Sequence, residues 1–477
     1  MTSPAETGTT NGNGGSRSGS AATAQAGMPD EPAAIAGGGS DDGGSGRASG
    51  GSGASLAEGG VSQGESSGAA GAAGSDGSSP CTFDVTWSTS AVIPTVGIVE
   101  WTSAFDAIDG ASVEFGAGTD YGHVAPVDLG DPQHRTLLLG LKALHAYHFR
   151  VVAKRGSSSC ASRDFTLTTG ALPNGLPNTA LDLNGSSSVN FLLSSFVSNG
   201  PAFVLDADGD YVWAYGTGEM ARAALSHDGK YMWFSAINVA ATKPSMKRVT
   251  LDGLEETDFT AEFGQIHHDF AILPDDTIAF LQHEGEVDSV MERAPDGTMR
   301  EVANLGTVLG AVHTHANSVR YFAADDTYTV SELQSNSITK LTRSGDVVWT
   351  LGGSASDFSG DTAWTGQHGQ ELIDPTHILV FSNGPPDGDS SAFELELDPK
   401  GHTAKRVWNY EPNPGLQCAI YGDVQRLAGG NTLVTFSVLG VIDEVDPNDT
   451  LVRELSWEIG GAVGYATALD SLYPASP

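Results

Sequence analysis

Three short histidine-bearing runs in the second half of the chain mix imidazole with carboxylate and amide side chains. The runs are His267-His268-Asp269-Phe270, His313-Thr314-His315-Ala316-Asn317-Ser318-Val319 and Gln367-His368-Gly369-Gln370. Imidazole changes charge near neutral pH and can act as nucleophile, acid, base or metal ligand. A lone histidine is more often a hydrogen-bonded structural residue, so the weight falls on how the three are registered. Each comes a few residues before a turn: His268 before Pro274-Asp275-Asp276, His315 before Ala324-Asp325-Asp326, and His368 before Asp374-Pro375-Thr376. The same step back from His227-Asp228-Gly229 reaches Arg222, and from Gly429-Gly430-Asn431 it reaches Tyr421 and Asp423.

The elements that would bring these positions together are written in a repeat. A second kind of turn, followed by an apolar strand, recurs at Asp206-Ala207-Asp208-Gly209, Leu251-Asp252-Gly253, Pro295-Asp296-Gly297, Ser344-Gly345, Pro399-Lys400-Gly401 and Pro447-Asn448-Asp449. The six copies lie 44 to 56 residues apart, which is the spacing of four-stranded propeller blades. Two hairpin turns per period mean four strands per period, and the 3.6-residue spacing of a helical solenoid is absent. The expected fold is all-β: a six-bladed β-propeller over residues 173–477. The first strand of every blade lines the central channel, so Arg222, His268, His315, His368 and Asp423 should converge there. Trp213, Trp349, Trp408 and Trp457 fit blade packing better than a ligand cage.

Ahead of the propeller, residues 80–172 alternate as short strands, with Phe83, Val85 and Trp87 on one face and Tyr147, Phe149 and Val151 on another. Leu139-Gly140-Leu141 followed by Tyr147 resembles the fibronectin type III pattern, a small β-sandwich with a tyrosine corner. Cys81 and Cys160 bracket this segment and are placed to form a disulfide, with two free buried thiols as the other reading; Cys418 stays unpaired. His123, His134, His145 and His148 are expected to be surface or packing residues. Residues 1–79 are Gly, Ser and Ala with almost no large apolar side chains, a disordered tether that cannot bury a core.

With 59 acidic against 23 basic residues, the net charge of −36 argues against nucleic acid as a partner. No run of about 18 apolar residues is present to span a membrane. The start lacks a secretory pattern, so either the protein stays inside or the start shown lies downstream of the true one; the tether and the cysteine pattern favour the second and a periplasmic or cell-surface location. The loop Pro385-Pro386-Asp387-Gly388-Asp389-Ser390 lacks the ligand spacing of an EF-hand and is expected to be a solvated turn.

The runs themselves resemble the bacterial arylsulfate sulfotransferases. That family has a His-Asp dipeptide, a His-x-Asn-Ser-[Ile/Val] run, Ser-Ser-Arg-His before an Ile-x-Lys strand, and Gln-His followed by an apolar strand ending in Asn-Gly. The chain has, in the same order, His268-Asp269, His315-Ala316-Asn317-Ser318-Val319, Ile338-Thr339-Lys340, Trp349-Thr350-Leu351-Gly352-Gly353, Gln367-His368 and Phe381-Ser382-Asn383-Gly384. The resemblance covers roughly Phe203 to Trp457 and implies a six-bladed propeller with a smaller β-sandwich before it. It implies sulfuryl transfer from an aryl sulfate to a phenol, without a cofactor or nucleotide sulfate donor, through a sulfated histidine. By position His368 would be that nucleophile. His268 and His315 would hold sulfuryl oxygens and handle protons, and Asn317 would orient a neighbour.

One departure stands out: Leu333, in Ser331-Glu332-Leu333-Gln334, occupies the place of the family arginine. Loss of one such donor costs about 10²- to 10³-fold in rate. Arg222, one blade before His268, is the expected substitute. Two other readings stay open on the residues alone. Three histidines on adjacent inner strands can bind zinc, as in a metal-dependent propeller lyase or lactonase, whereas sulfuryl transfer should survive removal of divalent metal. A non-catalytic binding propeller on a tether is the other.

Overall fold

The computed structural model describes residues 81–474 apart from 198–199, 217–219, 237–243 and 459–461. The expected tether, residues 1–79, lies outside the described residues. Nearly every described element is an antiparallel strand; the two α-helices among them, Thr260–Phe263 and Leu305–Leu309, span about one turn each.

The first strands build a sandwich. Phe83–Thr89, Gly97–Ser103 and Thr136–Leu138 form one sheet. His123–Pro126, Gly110–Gly116, Ala146–Arg155 and Ser158–Ala161 form the other, with Phe165–Thr168 also paired to Ala146–Arg155. The alternation at Tyr147, Phe149 and Val151 puts all three in the core between the sheets. The Tyr147 hydroxyl accepts the Lys142 N–H at 2.8 Å, pinning the loop that enters its strand. Cys81 and Cys160 are joined as a disulfide, with Cα atoms 5.7 Å apart. The four histidines of this domain pack locally: His134 on Trp101, His123 on Phe115, His148 against Asp164 and His145 on the Ala143 carbonyl.

The remainder forms six sheets, each with a core of four antiparallel strands. Their innermost strands are Thr467–Leu469, Arg222–Leu225, Ile266–Ile272, Ala316–Phe322, Gln367–Asp374 and Asp423–Arg426. The turns read from the repeat fall at fixed places. All six copies of the first kind join the third and fourth strands of a sheet, and all five of the second kind join the first and second strands. The second kind has one copy fewer because the first sheet takes its innermost strand from the far end of the chain: Thr467–Leu469 pairs with Phe191–Ser195. In exchange Thr179–Leu183 adds a fifth strand to the last sheet, so the first and last strands of this region are both stitched into the ring. Gln425 fastens the seam, its Oε1 accepting the Ala468 N–H at 2.7 Å. Tryptophans couple neighbouring sheets: Trp213 donates to the Leu251 carbonyl at 2.8 Å and Trp457 to the Tyr211 hydroxyl at 3.0 Å.

Candidate active site

Three of the inner strands share a local irregularity. Pairing slips between His267 and Phe270, between Ala316 and Ser318, and between Gln367 and Gln370. A bulge turns side chains that alternation would send to opposite faces. Each of these lies where its strand enters the channel, at or next to one of the three histidines, and His268 itself takes a positive φ of 53°. The three imidazoles meet there. The His268 and His315 rings are 5.2 Å apart, and burial first, then His267, His315 and His368, hold His268 well below the usual histidine pKa.

His368 is buried and its two ring nitrogens are both engaged. Nδ1 lies 2.7 Å from Asn383 Oδ1, while the Tyr421 backbone N–H donates to Nε2 at 3.2 Å. The Asn383 amide cannot turn over, because its Nδ2 donates to the Cys418 carbonyl at 2.6 Å and to the Tyr421 carbonyl at 2.8 Å. Oδ1 therefore faces the imidazole, Nδ1 carries the proton, and Nε2 holds the lone pair. Burial, set against the Asn383 bond and joined by His315, lowers the His368 pKa to about 4, so the ring is neutral at physiological pH.

Asn317 secures the strand of His368: its Nδ2 donates to the Gln367 carbonyl at 2.7 Å, and its Oδ1 is buried without a hydrogen bond. Leu333 lies beside the histidines. Its N–H donates to the His315 carbonyl at 2.9 Å, and a Cβ placed on Gly366 would stand 4.0 Å from Leu333 Cδ1. Leu333 thus brings an apolar side chain to this place.

Arg222 is placed elsewhere. Its Nε and Nη1 stand 3.5 Å from Asp269 and 3.6 Å from Asp423. Arg320 binds the same two carboxylates, reaching Asp423 at 2.7 Å, and both guanidiniums lie over the Tyr465 ring. The Tyr465 hydroxyl donates to the Asn317 carbonyl. This two-plus-two cluster ties four inner strands and the segment entering Thr467–Leu469 across the axis. Among the contacts of the described residues none joins Arg222 to a histidine, so its charge is neutralised by carboxylates instead of being presented to the imidazoles.

Asn383 and the Tyr421 amide went unread as site groups. Asn383 closes the Phe-Ser-Asn-Gly run, and hairpin pairing of Gln367 with Ser382 sets it beside His368, so counting across the turn would have found it. The Tyr421 amide left no such trace, because a backbone N–H has no residue type.

Solved structures that resemble the chain include a protein of unknown function from Bacteroides caccae, at 16% identity and TM-score 0.42, over 58% of this chain and 98% of that one. Others are virginiamycin B lyase from Staphylococcus aureus (16%, 0.38, 59% and 90%) and the periplasmic gluconolactonase of Pseudomonas aeruginosa (14%, 0.36, 67% and 94%). No curated protein matches the chain. Residues 265–458, which contain His268, His315, Asn317, His368 and Asn383, match the family described as Arylsulfotransferase (ASST), and the chain carries a domain of that family.

Proposed function

We propose that the protein transfers a sulfuryl group from an aryl sulfate to a phenolic acceptor through a sulfated His368. The observation that carries this reading is the neutral, buried imidazole of His368 with its tautomer fixed by Asn383, close enough to His315 and His268 to feel their charge. Nε2 attacks sulfur, the S–O bond to the aryl group breaks, and the phenolate leaves with its electron pair, taking a proton from the site. In the second half the acceptor phenol gives up a proton, its oxygen attacks the same sulfur, and the S–N bond breaks to restore His368. Splitting the transfer in two lets one pocket serve donor and acceptor in turn.

Sulfation at Nε2 with Nδ1 still protonated leaves the ring cationic, and Asn383 Oδ1 is placed to accept from that N–H more strongly as the charge grows. The Nε2 lone pair is shared with the Tyr421 N–H at 3.2 Å, a long contact that must yield as the N–S bond forms. With Leu333 in place of a cation, the sulfuryl oxygens are left to N–H donors of His268 and His315, a weaker set than the family pattern. Arg222 acts on this site indirectly, by holding Asp269 next to His268.

The disulfide supports a periplasmic or extracellular location. The sandwich of two antiparallel sheets and the Tyr147–Lys142 bond support a fibronectin type III reading of residues 80–172. The test of function is release of 4-nitrophenol from 4-nitrophenyl sulfate in the presence of phenol. Nitrophenol appearing together with phenyl sulfate supports transfer. Hydrolysis to inorganic sulfate alone, or no release by parent and His368→Ala alike, overturns it.

A further inference from the structure

Beside the three histidines lies a second cluster that the sulfuryl-transfer reading does not use. His267, His283 and Asp288 come from the first three strands of one sheet, Ile266–Ile272, Ile278–Glu284 and Val287–Arg293, with His283 and Asp288 directly opposite each other. Two imidazole nitrogens face one carboxylate oxygen: His283 Nδ1 is 2.6 Å and His267 Nε2 is 3.2 Å from Asp288 Oδ1. The carboxylate is locked. Asp288 is 1% exposed, its Oδ2 accepts the Ala316 N–H at 2.6 Å, and its own N–H donates to Thr314 Oγ1 at 2.6 Å. His267 Nε2 is buried and makes no hydrogen bond, despite its nearness to Asp288.

We infer that His267 Nε2, His283 Nδ1 and Asp288 Oδ1 form a binding site for a divalent transition metal of the zinc class. Two imidazoles and one carboxylate are a common three-ligand zinc set, with bonds of about 2.0–2.2 Å and a fourth position open. A tetrahedral centre with such bonds spaces neighbouring ligand atoms by about 3.4 Å, so the 3.2 Å edge fits as it stands. The 2.6 Å edge opens by rotation of His283, whose side chain is 50% exposed and leaves the fourth position facing solvent. The outer contacts are those a metal site needs: Asp288 is aimed by Ala316, and His267 is aimed through its Nδ1, 2.7 Å from His268 Nδ1. The acidic turn of Asp206, Asp208 and Asp210 differs in kind, since the Lys142 ammonium already sits among its carboxylates.

A metal on His267 Nε2 requires its Nδ1 to carry the proton and donate to His268. His268 then holds its own proton on Nε2. On the sulfuryl-transfer reading, and only on it, the metal thereby makes His268 a donor toward the sulfuryl group. The metal site itself does not depend on that reading.

The test uses the full chain, stripped with chelator and dialysed against zinc chloride, with bound zinc counted per chain and cobalt(II) substituted for its visible spectrum. The parent is expected to hold one zinc and to give intense tetrahedral cobalt bands. His283→Ala, at a half-exposed position, should keep the fold and, as loss of a direct ligand, weaken zinc binding by more than the roughly 10- to 100-fold that loss of an outer-shell partner costs. Asp288→Asn should do the same. No stoichiometric zinc in the parent, or equal zinc and equal cobalt bands in His283→Ala, overturns the inference. Neither readout involves an aryl sulfate, so failure of the sulfotransferase reading would leave this result standing.

Discussion

Replacing Asn383 with Ala removes the side chain that, together with the Tyr421 N–H at Nε2, fixes which nitrogen of His368 carries the proton. In the parent, Nδ1–H points to Oδ1 at 2.7 Å, and the amide is held by two carbonyls. Without it both the neutral ring and the cationic ring formed on sulfation lose the acceptor for Nδ1–H, and only the difference slows the step: a bond to the charged ring exceeds one to the neutral ring by about 1–1.5 kcal/mol. At about 1.4 kcal/mol per tenfold, the first half-reaction should slow by roughly tenfold. The assay is the nitrophenol burst under single-turnover conditions, with ¹⁵N shifts of His368 reporting the tautomer. The rate of sulfation should fall while half-saturation by the donor changes little, and the Nε2–H form should become visible. A folded Asn383→Ala protein that is sulfated at the parental rate would refute the tautomer argument.

Leu333→Arg places a cation next to the His315 carbonyl and should raise the sulfation rate by about 10²- to 10³-fold, measured by the same burst. Because the His368 pKa is lowered to about 4 and the neutral ring is the nucleophile, sulfation should stay level as pH falls through 6.5 and decline only near pH 4; a pH–rate profile of the burst checks this. Arg222→Met leaves Asp269 and Asp423 with Arg320 alone, so it should cost about 3 kcal/mol or more in stability, seen as a lower thermal midpoint.

The ring of sheets was legible because its turns recur, and the recurrence even carried the closure: six turns of one kind and five of the other are what a chain leaves when its last strand completes its first sheet. The convergence of His268 and His315 followed from the same register. What the repeat could not carry was charge pairing across the axis. Arg222 stands at the place equivalent to the histidines, but Asp269 and Asp423 also face the channel, and two buried carboxylates need cations more than a neutral imidazole cluster does. Arg320, in the middle of its strand, had no mark in the sequence to set it apart. The His267–Asp288–His283 cluster was hidden for a simpler reason: it runs across neighbouring strands of one sheet, whereas the repeat marks equivalent positions of different sheets.

The central claim rests on a covalent bond to one ring nitrogen. Intact mass of the purified protein after brief incubation with 4-nitrophenyl sulfate, beside a His368→Ala control, tests it directly. The account predicts a gain of one sulfuryl group in the parent, mapped to His368 and discharged by added phenol, with none in the control. Nitrophenol release with no adduct, or an adduct of equal yield in His368→Ala, would contradict it.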